Sequence, residues 1–251
     1  VNKLDKINSS VKQLDIEMEN ALNMTNMIYE KLQKQFNNSS DLLHKEINGI
    51  HVVFLESLCS GDKINEQILK TITLNKWAPL RENISGPSVV YIDSLDKVAF
   101  YLLNGFAFVY NDTEWLVCEV KADIYRGVMV PTSEASINGP KDSFNENIVA
   151  NLGLIKRRIK SEKLAQTDYF LGEYTKTKVS VLYIKDLAKD KHVKMVQKRL
   201  KNVKNDIIDI EILSQIINNN QDALPTIMKT ERPDKASQAL LDGKIVIIAD
   251  N

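Results

Sequence analysis

The sequence predicts a mixed α/β fold in which two small α/β subdomains follow a long N-terminal helix. Three observations predict this fold. They are an apolar heptad pattern at the N-terminus, two later stretches where short apolar runs alternate with helical spacing, and a Gly-, Pro- and Ser-containing segment between those stretches. We expect a helical N-terminal segment at 1–45, a first α/β subdomain at 46–136, a linker and connecting helix at 137–165, and a second α/β subdomain at 166–251.

The composition is that of a globular protein. The chain has 251 residues, of which 33 are basic, 33 acidic and 43% hydrophobic, enough for one large or two small cores. Its longest apolar runs, such as 245–249, are far shorter than the ~20 residues that cross a bilayer, so we expect a soluble chain. The chain begins with Val1 and ends directly after an apolar run, which predicts an excised piece of a longer protein.

The N-terminal segment carries the heptad pattern. Its positions step alternately by three and four residues, and only one of them is polar. They are Leu4, Ile7, Val11, Leu14, Met18, Ala21, Thr25, Ile28 and Leu32. Such a seam either associates with a second copy or packs on the rest of the same chain. The polar run 37–40 is expected to end the helix, and Ser40 or Asp41 to open a second, short one.

The first subdomain alternates strands and helices. The apolar run at 51–58 ends at Ser60-Gly61-Asp62, and this short length favours a buried strand. The polar turn 111–113 between two apolar runs is typical of a hairpin. The predicted elements are a strand at 51–58, helices at 62–77 and 94–104, and hairpin strands at 106–110 and 114–120.

The second subdomain repeats this alternation after a linker at 126–145. Helical spacing resumes at Ile148, and the exposed side of that helix is expected to carry Lys156, Arg157 and Arg158. The further predicted elements are strands at 168–175, 178–184, 207–210 and 244–249, and helices at 193–204, 214–218 and 234–241.

The net charge of zero conceals an uneven distribution. Residues 151–204 contain 15 lysines and arginines against five acidic residues, an excess of ten positive charges that the rest of the chain cancels. A basic block can face phosphates, anionic lipid or an acidic partner, or can be a solvated helix face. Nucleic-acid binding would use Arg157, Arg158, Lys198, Arg199, Lys201 and Lys204, but aromatic residues for base stacking are nearly absent there.

Patterns of reactive residues are lacking in the sequence. His44, His51 and His192 are scattered, and Cys59 and Cys118 belong to no CxxC pair and are expected to be apolar-surface or core thiols. The sequence contains no GxGxxG and no GxxxxGK[ST] loop for phosphates. We therefore predict no catalytic, cofactor-binding or metal-ligating residue and no cofactor, and the residues alone do not identify a function.

Two groups of motifs resemble the GerA family of spore germination receptor A subunits. The first is VPTSEASINGPKDSFNEN at 130–147, followed by NLGLIKRRI at 151–159, and the second is TERPD at 230–234, followed by LLDGKIVIIAD at 240–250. The family has a Gly-Pro-basic-acidic step, a Phe-x-Glu and an Asn-x-x-Leu-Ile-Arg-Arg-Arg-Ile helix in this order. Asn138, Lys141 and Ser143 depart from the usual family residues, and the heptad segment is not part of the match.

The resemblance implies the cytoplasmic N-terminal domain of an A subunit, with two subdomains similar to the lobes of solute-binding proteins. Such a subunit acts with B and C subunits and other A subunits in the spore inner membrane. It responds to a small nutrient ligand, couples sensing to ion release through an oligomeric channel, and is not an enzyme. An anionic membrane surface is a further expected partner for the basic block, and nucleic acid is not.

The matched motifs supply the candidate contacts between subdomains or subunits. They are Glu134, Gly139, Pro140, Phe144, Asn151, Arg157, Arg158, Glu231, Arg232 and Asp234. We expect the stretch 134–158 either to transmit motion between the subdomains or to act as a rigid connector, because proline restricts its own backbone and the residue before it. The alternatives to a receptor domain are a basic-helix nucleic-acid-binding regulator and a nucleotide-handling α/β enzyme.

Overall fold

The structure, a computed structural model, forms two compact units. It describes residues 25, 27–75, 78–84, 86–123, 142–203, 206, 210–218 and 227–250. Unit 1 comprises Val1–Gln35, Leu43–Leu55 and Cys59–Lys121, and unit 2 comprises Phe36–Leu42, Glu56–Leu58 and Ala122–Asn251. Unit 2 therefore takes two short segments from the N-terminal part of the chain. The mixed α/β class is confirmed, whereas the predicted domain boundaries and the likeness to solute-binding lobes stay predictions.

Unit 1 is built on a five-stranded sheet. The strands have the order β1-β2-β4-β5-β3 in the sheet. The β2–β4, β4–β5 and β5–β3 pairings are antiparallel. They are β1 (Leu42–Ile47), β2 (Ile50–Leu55), β3 (Val89–Tyr91), β4 (Phe106–Tyr110) and β5 (Trp115–Glu119). The predicted β4–β5 hairpin is confirmed, and its turn is fixed by Asn111, whose side-chain oxygen accepts from the amides of Thr113 and Glu114 at 3.0 and 2.7 Å.

The helices of unit 1 follow the apolar spacing of the sequence. They are α1 (residues 27–35), a continuous α2 (Gly61–Ile64, Asn65–Leu69 and Lys70–Leu74, with the middle part wound as a π-helix), α3 (Leu80–Asn83) and α4 (Leu95–Leu102). Ile64, Ile68 and Ile72 of α2 are almost fully buried against one face of the sheet. Ser94 caps α4 by accepting from the amide of Asp96.

The prediction that a second short helix begins at Ser40 or Asp41 is wrong. Strand β1 occupies 42–47 and forms a hairpin with β2. The two turn residues, Asn48 and Gly49, have φ of +55° and +75°, the left-handed values that an Asn-Gly hairpin turn requires. The polar residues before β1 therefore lead into a strand rather than capping a helix.

Only the end of the predicted heptad seam lies among the described residues. Thr25, Ile28 and Leu32 are buried in unit 1, and the Tyr110 hydroxyl donates to the carbonyl of Thr25 at 3.1 Å. This end of the seam packs on its own chain. Residues 4–21 lie outside the described residues, and a long N-terminal helix stays a prediction.

Unit 2 is a three-stranded antiparallel sheet covered on both faces. The strands β6 (Leu164–Leu171), β7 (Thr177–Ile184) and β8 (Val246–Ala249) pair in that order. The helices are α5 (Ile148–Arg158), α6 (Asp190–Lys201), α7 (Ile210–Ile217) and α8 (Pro233–Leu241). Alternate residues of β7 serve two cores: Leu182 packs with α5 and α8, and Val179 and Val181 pack with α6 and α7.

One further element differs from its prediction. A strand was predicted at 207–210, but α7 begins at Ile210, and residues 207–209 lie outside the described part. The apolar run at 246–249 does form a strand, β8, as predicted, but it lies at the edge of the sheet and only Ile248 in it is buried.

Candidate functional site

The first matched motif is organised by two asparagines at the start of α5. Asn147 caps the helix by accepting from the amide of Ala150 at 3.0 Å. Asn151, buried in the first turn, accepts from the amide of Asn145 at 2.9 Å and donates to the carbonyl of the same residue at 2.6 Å. Both hydrogen-bonding groups of one buried amide therefore fix the path of the chain into α5.

The two matched motifs meet in unit 2. The amide of Phe144 donates to the carbonyl of Glu231 at 2.8 Å, and the Ser143 hydroxyl donates to the same oxygen at 3.1 Å. The Phe144 side chain packs on the core formed by α5, α8 and the sheet. Segments about ninety positions apart in the chain are thus joined at one backbone carbonyl. We call residues 142–147 and 230–234 the motif junction.

Charged pairs flank the motif junction. Arg232 makes two hydrogen bonds to the carboxylate of Asp234, at 2.6 and 3.1 Å, at the first turn of α8. These hydrogen bonds hold the pKa of Asp234 below its ordinary value. At the other side, Arg158 pairs with Asp142 and also donates to the carbonyl of Leu154 at 2.8 Å. Its side chain therefore ties the end of α5 to the chain that precedes this helix.

A buried ion pair lies near the C-terminal end of α5. The Lys156 ammonium contacts the carboxylate of Asp41 at 2.5 Å, and their side chains are only 5% and 2% exposed. The same carboxylate accepts from the amide and the hydroxyl of Ser57 at 3.0 and 2.7 Å. The prediction that Lys156 lies on the exposed side of α5 is therefore wrong, because three donors compensate a carboxylate in the interior of unit 2.

A second polar cluster lies on β6 and β7. Asp168 accepts from Ser180 at 2.8 Å and from Gln166 at 3.0 Å, and it pairs with Lys178 at 3.1 Å. Burial raises the pKa of Asp168, but these donors outweigh it, so that the pKa is lower than usual. Burial likewise lowers the pKa of Lys178, and the hydrogen bond with Asp168 more than reverses this. The cluster holds its charges in fixed pairs and has the character of a structural element.

Five stacked rings form an aromatic column in unit 1. Tyr29, His44, His51, Tyr110 and Phe108 stack successively with centroid distances of 4.3, 5.1, 4.9 and 4.7 Å. Nε2 of His44 lies 2.9 Å from Nδ1 of His51, so one of these nitrogens must accept the hydrogen bond and remain unprotonated. Burial and the neighbouring His51 lower the pKa of His44, while Glu46 partly opposes them. His44 therefore resists protonation in the folded chain.

Both cysteines lie in the core of unit 1. Cys59 and Cys118 are buried thiols, as predicted, and burial raises the pKa of Cys118 to about 11. Among the described residues, no group of three or more His, Cys, Asp or Glu side chains could hold a metal ion. No helix in this part of the chain is both long and apolar enough to cross a membrane.

The structure separates the basic block into two kinds of residue. Arg157 and Arg199 donate to the carbonyls of Ala122 and Ile217, and Arg158 pairs with Asp142 as described. These arginines are used within unit 2. Lys198 and Lys201, by contrast, are exposed on α6, and Lys204 lies outside the described residues.

Seven of the ten predicted contact residues lie in the described part, all in unit 2. Phe144, Glu231, Asn151, Arg232, Asp234 and Arg158 belong to the motif junction or its borders, and Arg157 reaches Ala122. Glu134, Gly139 and Pro140 lie outside the described residues. The roles of all ten as contacts between subdomains or subunits stay predictions. Asp41 was missed because the local sequence around it gives no signal for a partner 115 positions away, and Ser57, which donates to Asp41, was missed with it.

Comparisons with known proteins agree on one family. The sequence profile described as Bacillus/Clostridium GerA spore germination protein matches residues 30–251. The chain is 35% identical over 217 residues to spore germination protein A1 of Bacillus subtilis, covering 81% of this chain and 44% of that protein. It is 26% identical to spore germination protein GerIA of Bacillus cereus, and that match covers 93% of this chain and 36% of that protein. It is also 26% identical to the uncharacterized membrane protein YfkQ of Bacillus subtilis, and that match covers 100% of this chain and 52% of that protein.

A solved structure has the same fold. The crystal structure of the N-terminal domain of the A subunit of the Bacillus megaterium spore germinant receptor GerK3 superposes with a TM-score of 0.62. The two chains are 24% identical, and the superposition covers 88% of this chain and 89% of that one. The present chain spans between about a third and a half of the length of the three curated relatives named above.

Proposed function

This chain belongs to the GerA family of Bacillus/Clostridium spore germination proteins, and from that premise we propose that it is the cytoplasmic domain of the A subunit of a nutrient germinant receptor. The observation that carries the proposal is the extent of the family match, which includes all of unit 2 and the part of unit 1 from residue 30 onwards. The fold shared with the GerK3 domain supports it. The domain acts without enzymatic chemistry, and it couples germinant sensing to ion release.

The proposed partners lie in and around a membrane. The curated relatives are roughly two to three times longer than this chain, and the remainder of such a protein would embed the receptor in the spore inner membrane. There the subunit would act with B and C subunits and with other A subunits. Self-association through the seam at 4–32 would use residues before Thr25, since the end of the seam is buried in unit 1.

The motif junction is the proposed coupling element. Its two segments share one backbone carbonyl, and each is tied to a helix by a charged pair. A displacement of the stretch 134–147 would therefore move α5 and α8 together, because neither segment can shift without breaking several hydrogen bonds. Transmission of motion through Gly139 and Pro140 to this junction is the working proposal, and a merely rigid connector is its alternative.

Spores provide the direct test of the receptor function. In a strain that lacks the natural gene, spores should lose potassium release and the fall in optical density in response to at least one nutrient, and the wild-type gene should restore both. A normal response to every nutrient in the deletion strain would contradict the proposal. In the restored strain, Gly139→Ala with Pro140→Ala should slow germination at unchanged receptor abundance. A normal rate in that strain would favour the rigid connector.

A further inference from the structure

We propose that the lysine face of α6 binds the phosphate headgroups of an anionic bilayer. This proposal rests on the receptor function above, which places the domain beside a membrane, and it names the surface that makes the contact. We define the lysine face as Lys191, Lys194, Lys198 and Lys201, with Met195 among them.

Helical geometry collects these side chains on one side. The four lysines are spaced by three, four and three residues, which places them within about 80° of arc at ~100° per residue. All four are exposed, whereas Val193, Val196 and Leu200 on the opposite side are buried, the last two against the sheet and α7. The helix is therefore fixed by its apolar side and presents its charge outwards on a rigid surface.

The charge on this face is available to a partner. Among the described residues, no carboxylate lies within ion-pair distance of any of the four lysines. Other basic residues of the same block are occupied: Lys156 by Asp41, Lys163 by Asp186 and Lys178 by Asp168. Helix α6 itself carries five basic residues against one acidic residue, Asp190, and so contributes four of the ten excess positive charges of residues 151–204.

The face also contains a depression suited to small anionic groups. An open hollow of about 350 Å³ is lined by Lys194, Gln197, Lys198, Lys201 and Asn202. Three ammonium groups and two amides offer only hydrogen-bond donors and amide oxygens there, with no carboxylate. A phosphate in this hollow would receive several charge-assisted hydrogen bonds at once.

The composition of the face favours lipid over nucleic acid. Helix α6 carries no Phe, Tyr or Trp, so that the stacking surface used for single-stranded bases is lacking. Its one arginine, Arg199, donates to the Ile217 carbonyl, so the guanidinium that most commonly reads guanine is used within unit 2. Met195 is 41% exposed among the lysines and offers an apolar side chain to the boundary between headgroups and acyl chains.

Vesicle binding by the 251-residue chain tests the proposal. Sedimentation with vesicles of phosphatidylcholine containing 30% phosphatidylglycerol would be compared with vesicles of phosphatidylcholine alone. We expect binding only to the anionic vesicles, with a steep loss as NaCl is raised. Each lysine near the surface contributes about fivefold to binding, so Lys194→Gln with Lys198→Gln should weaken binding by roughly 25-fold. Lys194→Arg with Lys198→Arg should retain it.

A matched variant controls for total charge. Lys31 and Lys34 are exposed lysines on α1 in unit 1, and Lys31→Gln with Lys34→Gln removes the same charge from a different surface. It should leave vesicle binding within twofold of the unmodified chain. Equal losses in the two double variants would show that only net charge matters and would overturn the assignment to α6.

Two further outcomes would overturn the proposal. One is equal binding, or none, to anionic and neutral vesicles. The other is tighter binding to a 20-base-pair DNA duplex at the same salt that depends on the same lysines, which would assign the face to nucleic acid. Vesicle binding does not depend on germination, so a negative result here leaves the spore experiment intact, and loss of the receptor function would leave the vesicle measurement valid.

Discussion

Lys156 and Asp41 are 115 positions apart in the chain and form an ion pair of 2.5 Å in the interior of unit 2. The carboxylate also accepts two hydrogen bonds from Ser57. Through these contacts helix α5 holds both short segments, 36–42 and 56–58, that unit 2 takes from the N-terminal part of the chain. The pair compensates charges whose burial would otherwise be costly.

Lys156→Met should destabilise the chain by about 3–5 kcal/mol, because it leaves the buried Asp41 carboxylate without its cation. Adding Asp41→Asn should recover at least half of that loss, since a neutral amide still accepts from Ser57. Urea unfolding of the unmodified chain, Lys156→Met, Asp41→Asn and the double variant gives the coupling energy. Lys163→Met serves as the control, because its pair with Asp186 is exposed on both sides. A loss as large in the control as in Lys156→Met would contradict the role of the buried pair.

Asn151→Ala should cost about 1–3 kcal/mol, because the amide and carbonyl of Asn145 both lose their partner in a buried setting. Asn151→Asp keeps the acceptor and loses the donor, so its stability should lie between that of the unmodified chain and that of Asn151→Ala. The measurement is thermal unfolding, with Gln238→Ala as an exposed control whose side chain also makes a local hydrogen bond. Unchanged stability of Asn151→Ala would show that the motif junction does not need this amide.

The free energy of unfolding should decrease as the pH is lowered below about 6.5, the ordinary pKa of histidine. The pKa of His44 is lowered in the folded chain, so the unfolded chain binds the proton first. The resulting stabilisation is complete above 6.5 and is lost as the pH falls through the folded pKa. Urea unfolding at pH 7.5 and 5.5 measures the difference, and the acidic groups with lowered pKa titrate below this window. His44→Gln should reduce the difference in stability between the two pH values. The same difference in that variant as in the unmodified chain would show that His44 is not its source.

Three glycine-to-alanine variants should separate strain from steric overlap. Gly243 follows α8 with φ of +75°, and a Cβ there would lie 2.5 Å from the carbonyl oxygen of Leu187. Gly49 has the same φ and open space, and Gly61 has open space without the positive φ. Gly49→Ala should cost about 1–2 kcal/mol, Gly61→Ala nothing measurable, and Gly243→Ala clearly more than Gly49→Ala. Any other order in thermal unfolding would contradict this assignment.

Much of the fold was predictable because burial repeats with the period of each element. The spacing of Ile64, Ile68 and Ile72 located α2, and the turn at Asn111 located the β4–β5 hairpin. Strand β1 was missed because three of its six residues are charged or imidazole side chains, although Asn48-Gly49 is a hairpin signal. Strand β3 has only three residues, Val89–Tyr91, too few for any period to appear.

The motif junction was predictable only in part. Its residues were identified from two sequence motifs, but their meeting at the Glu231 carbonyl depends on the packing of α5 against α8. Lys156 follows Leu152 by four residues and Ile148 by eight, which places it beside the apolar face of α5. That spacing could have indicated burial. Its partner Asp41 could not be found this way, because tertiary packing alone brings the two together.

The discontinuous make-up of unit 2 has a consequence for its biosynthesis. Asp41 leaves the ribosome 115 residues ahead of Lys156, which at ~5–20 residues per second is an interval of roughly 6–23 s. During that interval the nascent chain carries a segment whose binding partner has not been translated. Unit 2 therefore cannot complete its folding in the order of synthesis. Residues 36–42 can take up their final contacts with α5 only after that helix has left the ribosome.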